Sequence, residues 1–166
     1  MTALRVALDL GWADLDGILS VVAGEVRAGG VPDVVVGVLR GGMVPAVVLA
    51  HRLGTRAVRG LEVTRTLSDA PDADKTEYPV VGDVAGVGEL AGLDVLLVDD
   101  VAGSGATAEA ATAVLNGQRP ARLRRTVVVV NLANWCRTPP DDDPFRYFDH
   151  VGTTCSGWVR FPWEGR

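Results

Sequence analysis

The chain is predicted to fold as a doubly wound α/β domain on a mostly parallel sheet, and three observations predict it. The apolar runs Val34 to Leu39, Val95 to Val98 and Thr126 to Leu132 lack polar alternation, as suits strands buried on both faces. Helical segments alternate with these strands, the pattern of a sheet covered on both sides. Twice a strand runs into a glycine-bearing loop that opens a helix, which puts a ligand site at the carboxyl ends of the strands. At 166 residues the chain is read as a single domain over residues 1–166.

Taken in order, Leu15, Ile18, Leu19, Val22 and Val26 share one face of a first helix. Asp14 and Asp16 lie in its first turn, where the helix dipole favours acids, and Gly29, Gly30 and Pro32 end it. The strand to Leu39 carries Gly37, which permits close approach of a neighbour, and closes at Arg40, Gly41 and Gly42. Pro45 sits in the first turn of a nearly all-apolar helix that lasts until Gly54. Ala57 to Val63 reads as a strand. Thr64 to Tyr78, TRTLSDAPDADKTEY, has loop composition, and Val80 to Ala85 reads as a short returning strand. Behind the strand at Val95 comes an alanine-rich helix with Ser104 as its N-cap, stopped by Gly117 and Pro120. Arg119, Arg122, Arg124 and Arg125 are expected at a solvated helix-to-strand turn, and Thr126 to Leu132 is expected to be the last long buried strand. Thr138 to Pro144, TPPDDDP, reads as a solvated turn. Trp158 to Glu164, WVRFPWE, makes a rigid, flat, apolar surface suited to stacking on a heterocycle or to packing on the sheet.

Composition narrows the function. The net charge is −5 with no long basic tract, which argues against nucleic-acid binding as the main activity. Cys136 and Cys155 are too few for a disulfide framework and are read as free thiols. No long apolar span and no leader pattern is present, so the expectation is a soluble, cytoplasmic protein without membrane attachment. Lys75 is the only lysine.

The chemistry concentrates in Val95 to Thr107, VLLVDDVAGSGAT. A strand, a small-residue loop and a helix start in that order expose backbone N–H groups to an anion, and phosphate is the natural guest. Asp99 and Asp100 beside such a cradle need something cationic or hydroxylic to face: magnesium, ribose hydroxyls, or a sugar carbon gaining positive charge. That combination describes a sugar phosphate. Arg40, Gly41 and Gly42 form a second anion loop, with a guanidinium able to fork onto phosphate oxygens. Neither a GxxxxGKS/T loop nor a GxGxxG after the first strand is present.

These stretches resemble the type I phosphoribosyltransferases, most closely the bacterial and archaeal 6-oxopurine (xanthine, guanine, hypoxanthine) enzymes. The first stretch resembles their signature for phosphoribosyl pyrophosphate (PRPP), and VGVLRGGMVPA resembles their pyrophosphate loop. The ending WVRFPWE is similar to their base-binding hood. The resemblance implies a type I phosphoribosyltransferase-like fold with a flexible loop at about 64–79 and a small C-terminal hood at about 150–166. It implies a magnesium-dependent pentosyltransferase of nucleotide salvage that joins PRPP to a nucleobase-like acceptor, a 6-oxopurine by resemblance, and releases pyrophosphate. By the same carry-over Asp99 and Asp100 are the catalytic acids that hold ribose hydroxyls, directly or through Mg2+. Ala102, Gly103, Ser104, Gly105, Ala106 and Thr107 take the 5′-phosphate, and Arg40, Gly41 and Gly42 take pyrophosphate, with a cis peptide expected before Arg40. Trp158 stacks on the base and Val159, the next residue, lines its pocket with backbone contacts; from the residues themselves, Asn131 or Asn134 can offer an amide N–H to it. Arg65 and Lys75 are placed to meet pyrophosphate from the loop. A homo-oligomer, a dimer, is implied.

Two positions depart from the 6-oxopurine pattern. Gly103 stands where those relatives have an acid for the purine N7 proton, and NLANW, Asn131 to Trp135, stands where they have a lysine for the 6-oxo group. An amide both donates and accepts, so it suits a different base edge. On these grounds guanine, hypoxanthine and xanthine are expected to be poor substrates, or to lose the N7 proton to solvent or PRPP. The alternatives are the same chemistry on a specialised heterocycle outside salvage, and a regulator that senses PRPP or a nucleotide.

Overall fold

In the computed structural model the described residues are 6–66 and 74–164. A six-stranded sheet has the order β4-β3-β2-β5-β6-β7, comprising β2 (Val34–Leu39), β3 (Ala57–Thr66), β4 (Lys75–Val81), β5 (Asp94–Ala102), β6 (Arg122–Asn131) and β7 (His150–Cys155). All pairings in it are parallel except β3 with β4 at the edge. Helices α1 (Trp12–Ala28) and α2 (Met43–Leu53) cover one face, and α3 (Ala106–Gly117) covers the other. The alternation of the pleat divides the core accordingly. Val35, Leu96, Val98 and Val128 pack with Leu15, Leu19, Val22 and Leu49, while Val34, Val36, Val95 and Leu97 pack with Ala111 and Leu115. The expected fold class is therefore present.

Several boundaries differ, each for a physical reason. β5 runs through both acids to Ala102, because its register with β6 persists to Ala102 opposite Val130. The hairpin β3–β4 extends into the stretch read as loop, since antiparallel pairing of Thr66 with Lys75 supplies hydrogen bonds that composition does not advertise. Of the loop expected at about 64–79, residues 67–73 lie outside the described residues, as does the Lys75 side chain. The returning strand is β4, and Val84–Val87 is a 3-10 turn instead.

The hood begins later than expected. His150–Cys155, HVGTTC, is a main-sheet strand, β7, whose polar composition hides it from an apolar-run search. A Cβ at Gly152 would collide with the Val128 carbonyl and Ile18, so glycine is what lets α1 lie on this edge. The small second sheet pairs β1 (Val6–Asp9) with β8 (Trp158–Arg160), so the amino-terminal strand is half of the hood. Phe161 stacks on Trp163 with centroids 4.6 Å apart, and Trp12 of α1 meets Trp163 at 6.2 Å. A short helix, α4 (Pro144–Tyr147), precedes β7.

The arginine cluster is a solvated turn only in part: Arg119 is exposed between α3 and β6, whereas others of the four are held. Arg124 is only 5 % exposed, and it donates to the carbonyls of Val26 and Gly30 and to Asp94. Arg122 donates to Gly29 O and Asp94. Carbonyls at the end of α1 and just past it thereby gain guanidinium donors from β6.

Candidate active site

The carboxyl ends of β2 and β5 meet because two glycines allow it. A Cβ at Gly42 would lie 2.7 Å from the carbonyl oxygens of Val38 and Val98, and one at Gly41 would land inside the Asp100 carboxylate. Close approach of the Arg40 loop to the acid pair is thus available only to glycine at both positions. The Leu39–Arg40 peptide is cis, as expected. One open cleft of about 180 Å3 is lined by Arg40 and Gly41, by Asp99 and Asp100, by Thr107, and by Arg65 from β3.

Asp99 is buried and Asp100 half-buried. Their own loop ties them: the Asp100 N–H donates to Asp99 Oδ1 at 2.9 Å, and the Val101 N–H donates to Asp100 Oδ1 at 2.7 Å. Burial, and next the neighbouring Asp100 charge, push the Asp99 carboxyl well above its ordinary pKa. Burial also raises Asp100, opposed by the Val101 N–H and reinforced by the charge of Glu164 in the hood. Two such oxygen donors, whose ionised forms burial disfavours, suit a hard divalent cation. Among the described residues no three His, Cys, Asp or Glu converge on a metal position. Magnesium at this pair would complete its shell with substrate oxygens or water, as it commonly does.

Past the acids, Ala102 to Thr107 turns from β5 into α3. The N-cap of α3 is Gly105, at φ +80°, and the expectation of Ser104 there is corrected: only a long 3.4 Å contact runs from the Ala106 N–H to its hydroxyl. The left-handed turn at Gly105 sets the loop one residue further on. Arg65 donates to that Ser104 hydroxyl, so β3 delivers a guanidinium against the 102–107 loop.

On the far side lie the candidate base contacts. Trp158 is half-buried at the start of β8. The Val159 side chain is 7 % exposed and packs in the core with α1 and α2, so the base contact expected of Val159 falls to its backbone. Asn134 is exposed, with Cβ 3.4 Å from where a Cβ on Gly103 would sit. Asn131, the other candidate amide, differs from Asn134 in being buried. Its Oδ1 accepts from the N–H groups of Ala133 and Gly157, each at 3.1 Å, which ties the end of β6 to the residue before Trp158. Two N–H donors can only face the carbonyl, so the Asn131 NH2 is the group left over.

Against known proteins, the chain matches the model of the phosphoribosyl transferase domain over residues 13–164. It belongs to the type I phosphoribosyltransferase family. A sequence search of curated proteins finds no match. Among solved structures, this phosphoribosyltransferase is similar to a purine phosphoribosyltransferase from Pyrococcus horikoshii Ot3, with 26% identity, a TM-score of 0.75, and coverage of 96% of this chain and 94% of the other. A hypothetical protein from Neisseria gonorrhoeae with bound ppGpp aligns at 20% identity and a TM-score of 0.77, over 97% and 92% of the two chains. The Helicobacter pylori xanthine-guanine-hypoxanthine phosphoribosyltransferase aligns at 21% identity and 0.66, over 95% and 92%. The last two support the fold alone.

The sheet brings Arg40, Gly41, Asp99, Asp100 and Thr107 to one cleft, whose lining includes neither Asn134, beside Gly103, nor Trp158, in the second sheet. Arg65 was weakly legible as a charge near the loop. Glu164, which acts electrostatically on Asp100, carried no signal beyond its place at the end of WVRFPWE.

Proposed function

We propose that the protein transfers the 5-phosphoribosyl group of PRPP to a nitrogen of a nucleobase-like acceptor and releases pyrophosphate. The observation that carries this reading is the contact between the Arg40–Gly41 loop and the Asp100 carboxylate, beside Thr107 and Arg65. It supports an anion at each end of a ribose whose hydroxyls meet Asp99 and Asp100. As the bond from C1′ to pyrophosphate breaks, Arg40 receives the leaving oxygens, the acids hold the ribose against the growing positive charge, and the 102–107 backbone holds the 5′-phosphate. A magnesium ion on the acids would neutralise pyrophosphate charge. Incubation with PRPP, Mg2+ and a panel of bases should release pyrophosphate, and the Asp99→Asn/Asp100→Asn variant should not. Wild-type binding of PRPP or a nucleotide without turnover of any base would favour the sensor reading instead.

For the acceptor we favour a base with a carbonyl edge, a 6-oxopurine being the type. The sequence left Asn131 ambiguous, but with its carbonyl engaged its amide remains as a donor, in a place where a lysine would otherwise supply one. Asn131→Asp retains an oxygen for Ala133 and Gly157 and replaces the donor by an acceptor. Binding of IMP should weaken roughly tenfold or more relative to AMP in that variant. An unchanged IMP to AMP ratio in calorimetry would remove Asn131 from the base site. Gly103 still supplies no proton acceptor, so the N7 proton is expected to leave to solvent or PRPP. Cytoplasmic salvage and a dimer complete the reading, the latter tested by sedimentation.

A further inference from the structure

Residues 135–143, between Asn134 and α4, have no part in the reading above, yet Trp135 and Arg137 lie on the 102–107 loop. Two ring carbons of Trp135 come within 3.1 and 3.2 Å of where a Cβ on Gly105 would sit, and Cδ of Arg137 within 2.9 Å. Gly105 is the left-handed residue from which α3 starts, so these side chains cover the bare backbone at the turn that aims the helix N–H groups. Both are themselves held. Trp135 donates from Nε1 to the Asp142 carbonyl at 2.9 Å and packs on Tyr147 and Phe148 at centroid distances of 5.6 and 5.8 Å. The Arg137 guanidinium lies 4.5 Å from the Tyr147 ring centroid, and that of Arg125 lies 4.3 Å from the same centroid.

Charge adds a second argument. Glu109 stands in the first turn of α3, next to the place where a phosphate would bind. Arg137 pairs with its carboxylate at 3.1 Å, and the Arg137 side chain is only 14% exposed. Asp141 approaches the same guanidinium at 3.6 Å. Without Arg137, an acid would face the incoming dianion from the helix that should attract it.

We propose that Trp135 and Arg137 form a clamp on the 5′-phosphate loop, in which both hold Gly105 in its left-handed turn and Arg137 cancels the Glu109 charge. They are positioning residues: they act through the loop backbone and not on the reacting atoms. The assignment of the anion to PRPP rests on the proposed function, but the clamp is measurable without it.

Ribose 5-phosphate binding by calorimetry, hydrogen exchange at residues 103–107, and PRPP kinetics test this on the full chain. Arg137→Met should weaken ribose 5-phosphate about tenfold and raise the PRPP KM similarly, with kcat within about twofold. Adding Glu109→Gln should recover a large part of that loss, and Arg137→Lys should lose less than Arg137→Met. Trp135→Leu should speed exchange across the loop. Glu109→Gln alone, at an exposed site, keeps the test valid if Arg137 variants do not fold; it should tighten ribose 5-phosphate roughly threefold. No effect of Arg137→Met or Glu109→Gln on ribose 5-phosphate, or no binding by the wild type, overturns the clamp. Binding and variant effects as expected, with no turnover of PRPP on any base, would leave the clamp standing and remove the transferase reading.

Discussion

Asp99 and Asp100 show at single residues how a ligand site opposes stability. Burial holds both carboxyls above their ordinary pKa, so the folded domain disfavours the charges that ligand binding would use. A carboxyl raised in the folded state contributes stability that is fully present below its unfolded pKa, about 3.9, and lost as pH rises through the folded value. Asparagine keeps the Oδ1 acceptors for the Asp100 and Val101 N–H groups and removes the charge. Asp99→Asn/Asp100→Asn is therefore expected to melt higher than wild type at pH 7, by roughly 2–4 °C for each kcal/mol gained, and by much less at pH 4. Thermal unfolding at both pH values checks this, and a variant less stable at pH 7 would contradict it. The same substitutions abolish turnover under the proposed function, so stability and activity move in opposite directions.

Among the elements, the junction of α1 with β6 is held by charge more than its sequence suggests. Arg124 is buried and joins the last carbonyls of α1 to Asp94, the first residue of β5. Arg124→Met fills much of the volume but leaves the Gly30 carbonyl and half of the Asp94 pairing without the guanidinium donor; the Val26 carbonyl keeps the Gly29 N–H, and Arg122 keeps the other half of Asp94. The expected cost is about 2–4 kcal/mol, the scale for breaking a buried charged hydrogen-bond set. Urea unfolding measures it, and a loss under about 0.5 kcal/mol would mean that water replaces the guanidinium. Arginine spacing alone could not reveal this, because Arg119, Arg122, Arg124 and Arg125 read as one basic turn. Their separation into partners of Asp94 and of Tyr147 depends on strand alternation and on what lies across each face.

For the whole molecule, the packing of α1 on the edge strand β7 makes stability sensitive to acid. His150, at the start of β7, has a half-buried ring near Glu25 at 3.5 Å, and burial lowers its pKa despite the Glu25 and Asp149 charges, with Arg124 acting in the same direction as burial. A histidine depressed in the folded state contributes stability present above its unfolded pKa of 6.5 and lost as pH falls through the folded value. The melting temperature of wild type relative to His150→Gln should accordingly drop as pH falls from 7 to 5. Parallel melting curves across that range would show that His150 is not responsible for any acid lability. This strand went unrecognised in the sequence since Gly152, Thr153 and Thr154 carry little hydrophobic signal, and only the parallel ladder with β6 identifies it.

Local chemistry was enough to read the buried parallel strands, the glycine turns after Leu39 and Val101, and the acid pair at a strand end followed by a small-residue loop. Each depends on neighbours in the chain: a run of β-branched residues, a glycine able to take an unusual turn, a helix start next to it. What the tertiary structure decided are relations between distant residues. Asn131 could have presented either end of its amide until Ala133 and Gly157 occupied the carbonyl. Val159 keeps only its backbone for any ligand contact, because β8 pairs with β1 and its side chain packs in the core. The stretch from Trp135 to Arg137 carries no motif of its own, and only the fold lays it across Gly105. Hydrogen-bond partners and burial are set by residues far apart in sequence, and no spacing along the chain encodes which of them will meet.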